Sequence, residues 1–231
     1  MMADLTTALK DLLTAEDPVL VGCCNLSTVP GAEYPYGVAI ALPVRPEVVK
    51  GIKNEPTEAY FAEYHAMEAR LREIALRGER FLQERGYRAF AQTSDRVHED
   101  ADWKTELPHK TMAVLSGIGW IGKSCLLVTE EYGSAVRLTS ILTDAPLACG
   151  TAALEPKCGS CKACADACPA HALTGTLWHP GIDRAEMLNK EAYCEKQIQL
   201  TWECTGISDE FLCGRCFAAC PFTRRYITHL L

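Results

Sequence analysis

Thirteen cysteines in 231 residues constrain this chain more than any other feature, because nine of them fall after residue 157 and seven of those lie in two tight runs. The first reads Cys158-Gly-Ser-Cys161-Lys-Ala-Cys164-Ala-Asp-Ala-Cys168-Pro169, the second Cys213-Gly-Arg-Cys216-Phe-Ala-Ala-Cys220-Pro221. Thiolates spaced by two residues sit on tight turns that aim successive sulfurs at different metal atoms, so three of them wrap one face of a [4Fe–4S] cube. A fourth cysteine, three residues on and followed by proline, ligates the neighbouring cube, which is why such runs come in pairs. A zinc site or a set of disulfides is the plainer reading of clustered cysteines. Four-cysteine runs ending in Cys-Pro are foreign to zinc sites, and disulfides need an oxidising compartment.

Two cubes need eight ligands and the runs supply seven, so one cysteine must come from between them. The candidates are Cys194 and Cys204. We assign one cluster to Cys158, Cys161, Cys164 and Cys220, and the other to Cys168, Cys213, Cys216 and Cys194, with Cys204 in reserve. Cys23, Cys24, Cys125 and Cys149 lie in or beside apolar strands and read as small buried hydrophobes.

The formal net charge of −7 disfavours polyanionic partners, so nucleic acid is not expected. The N-terminus carries acids where a signal peptide would carry a cationic region, and no stretch has the apolar length of a membrane span. These features predict a soluble, cytoplasmic protein. Leu5, Leu9, Leu12 and Leu13 behind an Asp4 cap predict an opening helix. Val19–Cys24 and Gly37–Leu42 read as buried strands around a turn-rich loop, and residues 57–85 as a long amphipathic helix. Strands follow at Tyr87–Gln92, Cys125–Thr129 and Ala135–Leu142, with a polar, solvated stretch at Thr93–Lys104 and a helix at Pro108–Ser116. Asp183-Arg-Ala-Glu186 is a capping-box pattern that should open the helix carrying Cys194. The pattern is α+β, with residues 1–150 as an α/β cofactor or substrate domain and 151–231 as a ferredoxin-like two-cluster domain.

Gly117-Ile-Gly119-Trp-Ile-Gly122 matches G-x-G-x-x-G, but a dinucleotide fingerprint runs strand, turn, helix. Here the glycines follow a predicted helix and lead into a strand. They imply close backbone approach rather than nicotinamide binding.

With Gly119-Trp-Ile-Gly-Lys123, Glu131-Tyr-Gly-Ser134, Leu142-Thr-Asp144 and both cysteine runs in this order, the chain resembles the epoxyqueuosine reductase family, relatives of the corrinoid-dependent reductive dehalogenases. The likeness runs from about Tyr34 to Tyr226. It implies a nitroreductase-like N-terminal domain holding cobalamin, fed with electrons by two clusters, and it favours Cys194 as the eighth ligand. It also implies that Gly117, Gly119, Trp120, Gly122, Lys123, Gly133 and Ser134 line the cofactor pocket. The family places an acidic proton donor ahead of the glycine turn, where this chain offers Glu106 and His109. Its tRNA-modifying members continue into a helical-repeat domain after the clusters, so tRNA is not the expected substrate here. The implied function is a reductase that takes electrons from a ferredoxin- or flavodoxin-type donor and passes them to a corrinoid or a small-molecule substrate. A non-catalytic ferredoxin-type carrier is the rival, and a flavin in place of the corrinoid is a further option.

Overall fold

The apolar runs on either side of the turn-rich loop pair with each other. In the computed structural model, which describes residues 2–53, 56–98, 100, 105–207 and 210–229, β1 (Leu20–Asn25) lies antiparallel to β2 (Tyr36–Pro43), with Leu20 opposite Ala41 and Asn25 opposite Tyr36. Two more strands extend the sheet in the order β1-β2-β6-β3, where β3 is Ala89–Ala91 and β6 is Val136–Thr143. β3 and β6 are antiparallel, Ala89 opposite Thr143. β2 is buried along nearly its whole length, as a strand covered on both faces must be.

Helices cover this sheet through glycine contacts. A Cβ at Gly78 would stand 2.5 Å from Ile141 and 3.1 Å from Leu13, so the bare backbone of α3 (Glu58–Gln83) lets α1 (Met2–Thr14) and β6 close on it. Gly37 does the same for α4 (His109–Leu115), since a Cβ there would lie 2.8 Å from the Met112 sulfur. Asp4 falls inside the first turn of α1 instead of capping it, a position where its carboxylate still favours the helix dipole. The strand at 87–92 is shorter than its pattern, spanning Ala89–Ala91, although Gln92 N–H still donates to the Ser140 carbonyl of β6 at 2.8 Å.

These elements, apart from Glu58–Ala66 of α3 and Val136 of β6, belong to one of two compact units, formed by Met1–Pro43, Met67–Gly119 and Arg137–Ala153. The other comprises Val44–Ala66, Trp120–Val136 and Leu154–Leu231. The units interleave along the chain, whereas the sequence reading places a single break near residue 150. The physical reason lies in side chains remote in sequence from the cysteine runs. Tyr60 packs edge-on to Phe217 with centroids 5.4 Å apart, Tyr226 donates to the Val44 carbonyl at 3.0 Å, and Val44 N–H donates to Ala135 at 2.9 Å.

Within this second unit, α2 (Pro46–Gly51) and a small hairpin of β4 (Trp120–Ile121) and β5 (Leu127–Val128) accompany α5 (Ala163–Asp166), α6 (Lys190–Thr205), α7 (Arg215–Ala219) and α8 (Pro221–His229). The capping box at Asp183–Glu186 forms, but it closes a single 3-10 turn. A second cap, Asn189 Oδ1 accepting from Ala192 N–H at 3.0 Å, opens α6, and Gly206 in the left-handed region ends it. Among the described residues no helix is long and apolar enough to cross a membrane.

The polar stretch at 93–104 is only partly described, residues 99 and 101–104 lying outside, and its start is anchored rather than solvated. Arg96 clamps buried Glu79 with two bonds of 2.9 and 3.0 Å, and Glu79 also accepts from Ala91 N–H at 3.1 Å. Removing one charge of such a pair strands the other. Glu79→Gln is expected to cost about 2–3 kcal/mol, at the low end for a buried pair because Arg96 is partly solvated; chemical denaturation that detects no loss counters this reading.

Candidate metal centre

Each cysteine run is shaped by a glycine in the left-handed region directly after its first cysteine, Gly159 at φ 51° and Gly214 at φ 81°. The turn lets Cys161 N–H reach the Cys158 carbonyl at 3.1 Å, and a one-turn helix follows in both runs. Gly214 has a second reason to lack a side chain, since a Cβ there would sit 3.0 Å from both Ile52 and Tyr60.

All thirteen cysteines are free thiols, and the candidate ligands sort themselves by which neighbours they feel. Burial first, then Cys158, Cys220 and Cys161, push the Cys164 thiol up to about 11. Burial and then Cys213, Cys164 and Cys168 push Cys216 up to about 12. Cys213 is raised by burial, with Cys168 adding to it. Tyr193 closes the second set: burial raises its phenol, and Cys216, Cys213 and Cys194 are its charged neighbours. Cys164, Cys168, Cys216 and Tyr193 share one small core with Ala172 and Leu173. The two proposed sets thus lie side by side, with Cys164 of the first among the neighbours of Cys216 in the second.

Cys204 points elsewhere. Its thiol donates to the Pro56 carbonyl at 3.4 Å. Aligning the runs on their Cys-Pro ends places Glu210 where the first run has Cys158. Glu210 turns to His65, 3.0 Å away.

This donor set fits iron–sulfur clusters. Among the described residues no three His, Cys, Asp or Glu side chains converge on a position for a single ion. A zinc site requires such convergence, whereas the thiolates of a cube each hold a different iron. Thiols raised this far by burial and by one another stay protonated until a cation joins them, and bound iron offsets the repulsion between thiolates.

The glycine motif meets the same centre. Gly122, Lys123 and Ser124 form the tip of the β4–β5 hairpin, with Cys125 at φ 59°, so the predicted strand at 125–129 starts two residues late. No helix follows the glycines, as the reading against a dinucleotide site expects. A Cβ at Gly122 would stand 3.5 Å from the Cys158 sulfur and 2.7 Å from Val128. Beyond the hairpin, Gly133 at φ 60° lies so close to the Thr223 backbone that any side chain would collide with it, and Ser134 N–H donates to Thr223 Oγ1 at 3.0 Å. Trp120 packs edge-on to Phe222 at 4.9 Å. Thr223 and Phe222 had no periodic signal in the sequence; they matter because they follow Cys220-Pro221.

Three candidate pocket residues share one property. Trp120 (2% exposed) and Ser134 (3%) have no hydrogen-bond partner for Nε1 and Oγ among the described residues, and Lys123 (6%) forms no ion pair with them. Unpaired buried donors are costly. Gly117 has a different task in the first unit, where a Cβ would collide with the Thr151 carbonyl, and Gly119 is buried.

The two proton-donor candidates also lie in the first unit. Glu106 is exposed. His109 is tied into the sheet: Gln92 Nε2 donates to Leu107, Ser140 Oγ donates to Gln92 Oε1 at 3.0 Å, and His109 Nδ1 lies 2.7 Å from Ser140 Oγ. With its one proton committed to Gln92, Ser140 accepts from Nδ1–H, which leaves Nε2 as an acceptor. Burial pushes the imidazole down to about 4, with Glu68 opposing and Arg137 assisting. At neutral pH His109 is therefore an uncharged acceptor and not an acid.

Comparison with known proteins agrees with this geometry. Residues 157–223 match the family of 4Fe-4S double cluster binding domains. The epoxyqueuosine reductase of Bacillus subtilis (strain 168) is 33% identical over 148 residues, covering 58% of this chain and 35% of that protein. The chain is related to the epoxyqueuosine reductases. It spans about a third of the length of the curated relatives it matches. Among solved structures, a reductive dehalogenase whose structure bears on B12-dependent dehalogenation is similar with TM-score 0.74 at 18% identity, covering 97% of this chain and 32% of that one. An epoxyqueuosine reductase solved with an epoxyqueuosine-modified tRNA stem loop gives 0.63 at 22%, covering 96% and 66%.

Two outcomes test the site. Cys204→Ser should keep the full iron content of anaerobically reconstituted protein, whereas Cys194→Ser should lower it and abolish one cluster's paramagnetic signal; the reverse result transfers the eighth ligand to Cys204. The His109 ring should show no protonation by NMR at pH 5.5, where an unperturbed histidine is mostly charged. Its folded pKa lies below the unfolded value, so the stability it contributes is complete above about pH 6.5 and is lost as pH falls through about 4. Titration near 6.5 would contradict the buried network.

Proposed function

We propose that this chain is an iron–sulfur oxidoreductase in which an external one-electron donor charges two [4Fe–4S] clusters, and these reduce a corrinoid or a substrate held beside them. Cys158, Cys161, Cys164 and Cys220 hold one cluster, and Cys168, Cys194, Cys213 and Cys216 the other. The observation that carries the reading beyond a simple electron carrier is a pair of buried groups with no hydrogen-bond partner among the described residues, Trp120 Nε1 and Ser134 Oγ, accompanied by the buried Lys123. A carrier has no use for them.

All three are donors, so they suit a group rich in acceptors, such as the amides and phosphate of a corrinoid. When bound, a corrinoid supplies a metal that takes up electrons singly and delivers them to a substrate. The chain's part is to position and shield. Gly122 and Gly133 keep the hairpin against Cys158 and Thr223, and Phe222 packs against Trp120. Of the two proton-donor candidates, Glu106 is retained and His109 is not, because its ring is neutral. The tRNA-bound neighbour makes a modified nucleoside one substrate class to assay beside small organic halides.

The test is a cobalamin titration of protein reconstituted to about eight irons per chain. The absorption spectrum of cobalamin should shift on binding, and Ser134→Ala and Lys123→Met should each weaken binding about tenfold, the loss of one hydrogen bond to a buried acceptor. Eight irons with no cobalamin response leaves the electron-carrier reading in front, and a yellow chromophore released on unfolding assigns the pocket to flavin.

A further inference from the structure

Electrons must reach the clusters from outside, and one surface of the second unit is built for that entry. A cleft of about 660 Å³ lies between α5 and α8. Its floor is Ala163, Ala167, Ala219 and Pro221, each a sequence neighbour of Cys164, Cys168 or Cys220. Neighbouring Cα atoms are about 3.8 Å apart, so the cleft runs along the backbone beside three candidate ligand residues. Electron transfer falls steeply with distance, which favours a donor seated on this backbone.

The floor is also chemically mute. Three alanines and a proline offer no side-chain group to orient a small molecule, whereas ligand pockets carry a few convergent polar groups. The nearest hydroxyl, Thr228 Oγ1, is committed to the Arg224 carbonyl at 2.7 Å. Polarity is confined to the rim, as at protein docking sites. Arg224 and Arg225 line that rim from α8, and Lys162 stands just before α5. Arg225 lies over the Phe222 ring at 4.4 Å and reaches Glu130 at 3.4 Å, a carboxylate already paired with Lys157. Asp166 is the acid on the opposite wall. Among the lining residues the two arginines, Arg224 and Arg225, outnumber the one acid, Asp166, on a molecule whose net charge is −7.

We infer that the α5–α8 cleft, rimmed by Arg224 and Arg225, is the docking surface for an acidic one-electron carrier protein. The inference rests on the proposed reading that an external donor charges the clusters, and adds the surface and the charge of that donor. An acidic carrier is repelled by the molecule as a whole, but beyond about 10 Å that field is screened at 0.1 M salt. Within that range the arginines decide where it lands. In each encounter the carrier is oxidised by one electron and one cluster is reduced by one, with no bond made or broken.

Stopped-flow reduction of the cluster-loaded protein by reduced flavodoxin, as an acidic probe, tests this, with photoreduced deazaflavin as a reductant too small to dock. For the unmodified protein the flavodoxin rate should fall as salt rises. In Arg224→Glu/Arg225→Glu it should drop about tenfold at low salt and rise with salt, since only repulsion remains. Oxidised flavodoxin should bind the unmodified protein and not the variant by calorimetry. Arg224→Gln, which spares the Arg225–Glu130 pair, should give a smaller drop and a shallower salt slope, and serves if the double variant fails to load its clusters. Equal rates and equal salt slopes with normal deazaflavin reduction overturn the docking surface alone. Clusters that deazaflavin cannot reduce overturn the redox reading, and the docking surface with it.

Discussion

Eight thiolates gathered in a small volume repel one another, and the rest of the second unit depends on how that repulsion is met. Without metal the Cys164 and Cys216 thiols stay protonated, held there by burial and by their cysteine neighbours. With iron, each must give up its proton. Cluster assembly is therefore a proton-releasing step, and the stability of the cysteine runs is inseparable from their metal. One-turn helices and left-handed glycines contribute little by themselves to holding Cys158–Pro169 or Cys213–Pro221 in place.

The same centre explains why its surroundings are made of small residues and tight contacts. Gly122 yields space to the Cys158 sulfur, Gly133 to the backbone of Thr223, and Gly214 to Ile52 and Tyr60. Each contact ties a stretch remote in sequence to a cysteine run or to the turn after it. The glycine motif, which by its letters suggests a phosphate cradle, is thus a device for bringing a hairpin against a metal ligand. Its polar cargo, Trp120, Lys123 and Ser134, arrives buried, with Trp120 Nε1 and Ser134 Oγ lacking hydrogen-bond partners among the described residues.

Much of this was legible because cysteine spacing is set by the geometry of a cube, which few other constraints reproduce. That residues 157–223 form a double-cluster domain follows from spacing alone, and the buried strands β1 and β2 follow from their apolar runs. Boundaries were less legible. The capping box at Asp183 is real, but a capping box specifies the start of a turn and says nothing of how long the turn continues. His109 read as a possible acid because sequence shows a residue type and not its burial; only the Ser140–Gln92–Leu107 chain of bonds shows that its proton is fixed on Nδ1. The interleaving of the units was invisible for a related reason. Tyr60 and Tyr226 look like any aromatic residues until Phe217 and the Val44 carbonyl are found against them.

That interleaving sets a timetable for biosynthesis. Val44–Ala66 and Trp120–Val136 leave the ribosome before Leu154–Leu231, which completes their unit. At roughly 5–20 residues per second, the earliest of these stretches waits on the order of ten seconds for the cysteines it is to pack beside. During that interval its apolar side chains have no native partners in their own unit. Iron delivered to the emerging first run would find four thiols but, in the proposed assignment, only three ligands of one cluster, because Cys220 follows Cys168 by 52 residues. Completion of the first cluster therefore waits on the second run, and the step most open to competition from chaperones and metal carriers is the arrival of Cys220 beside the first.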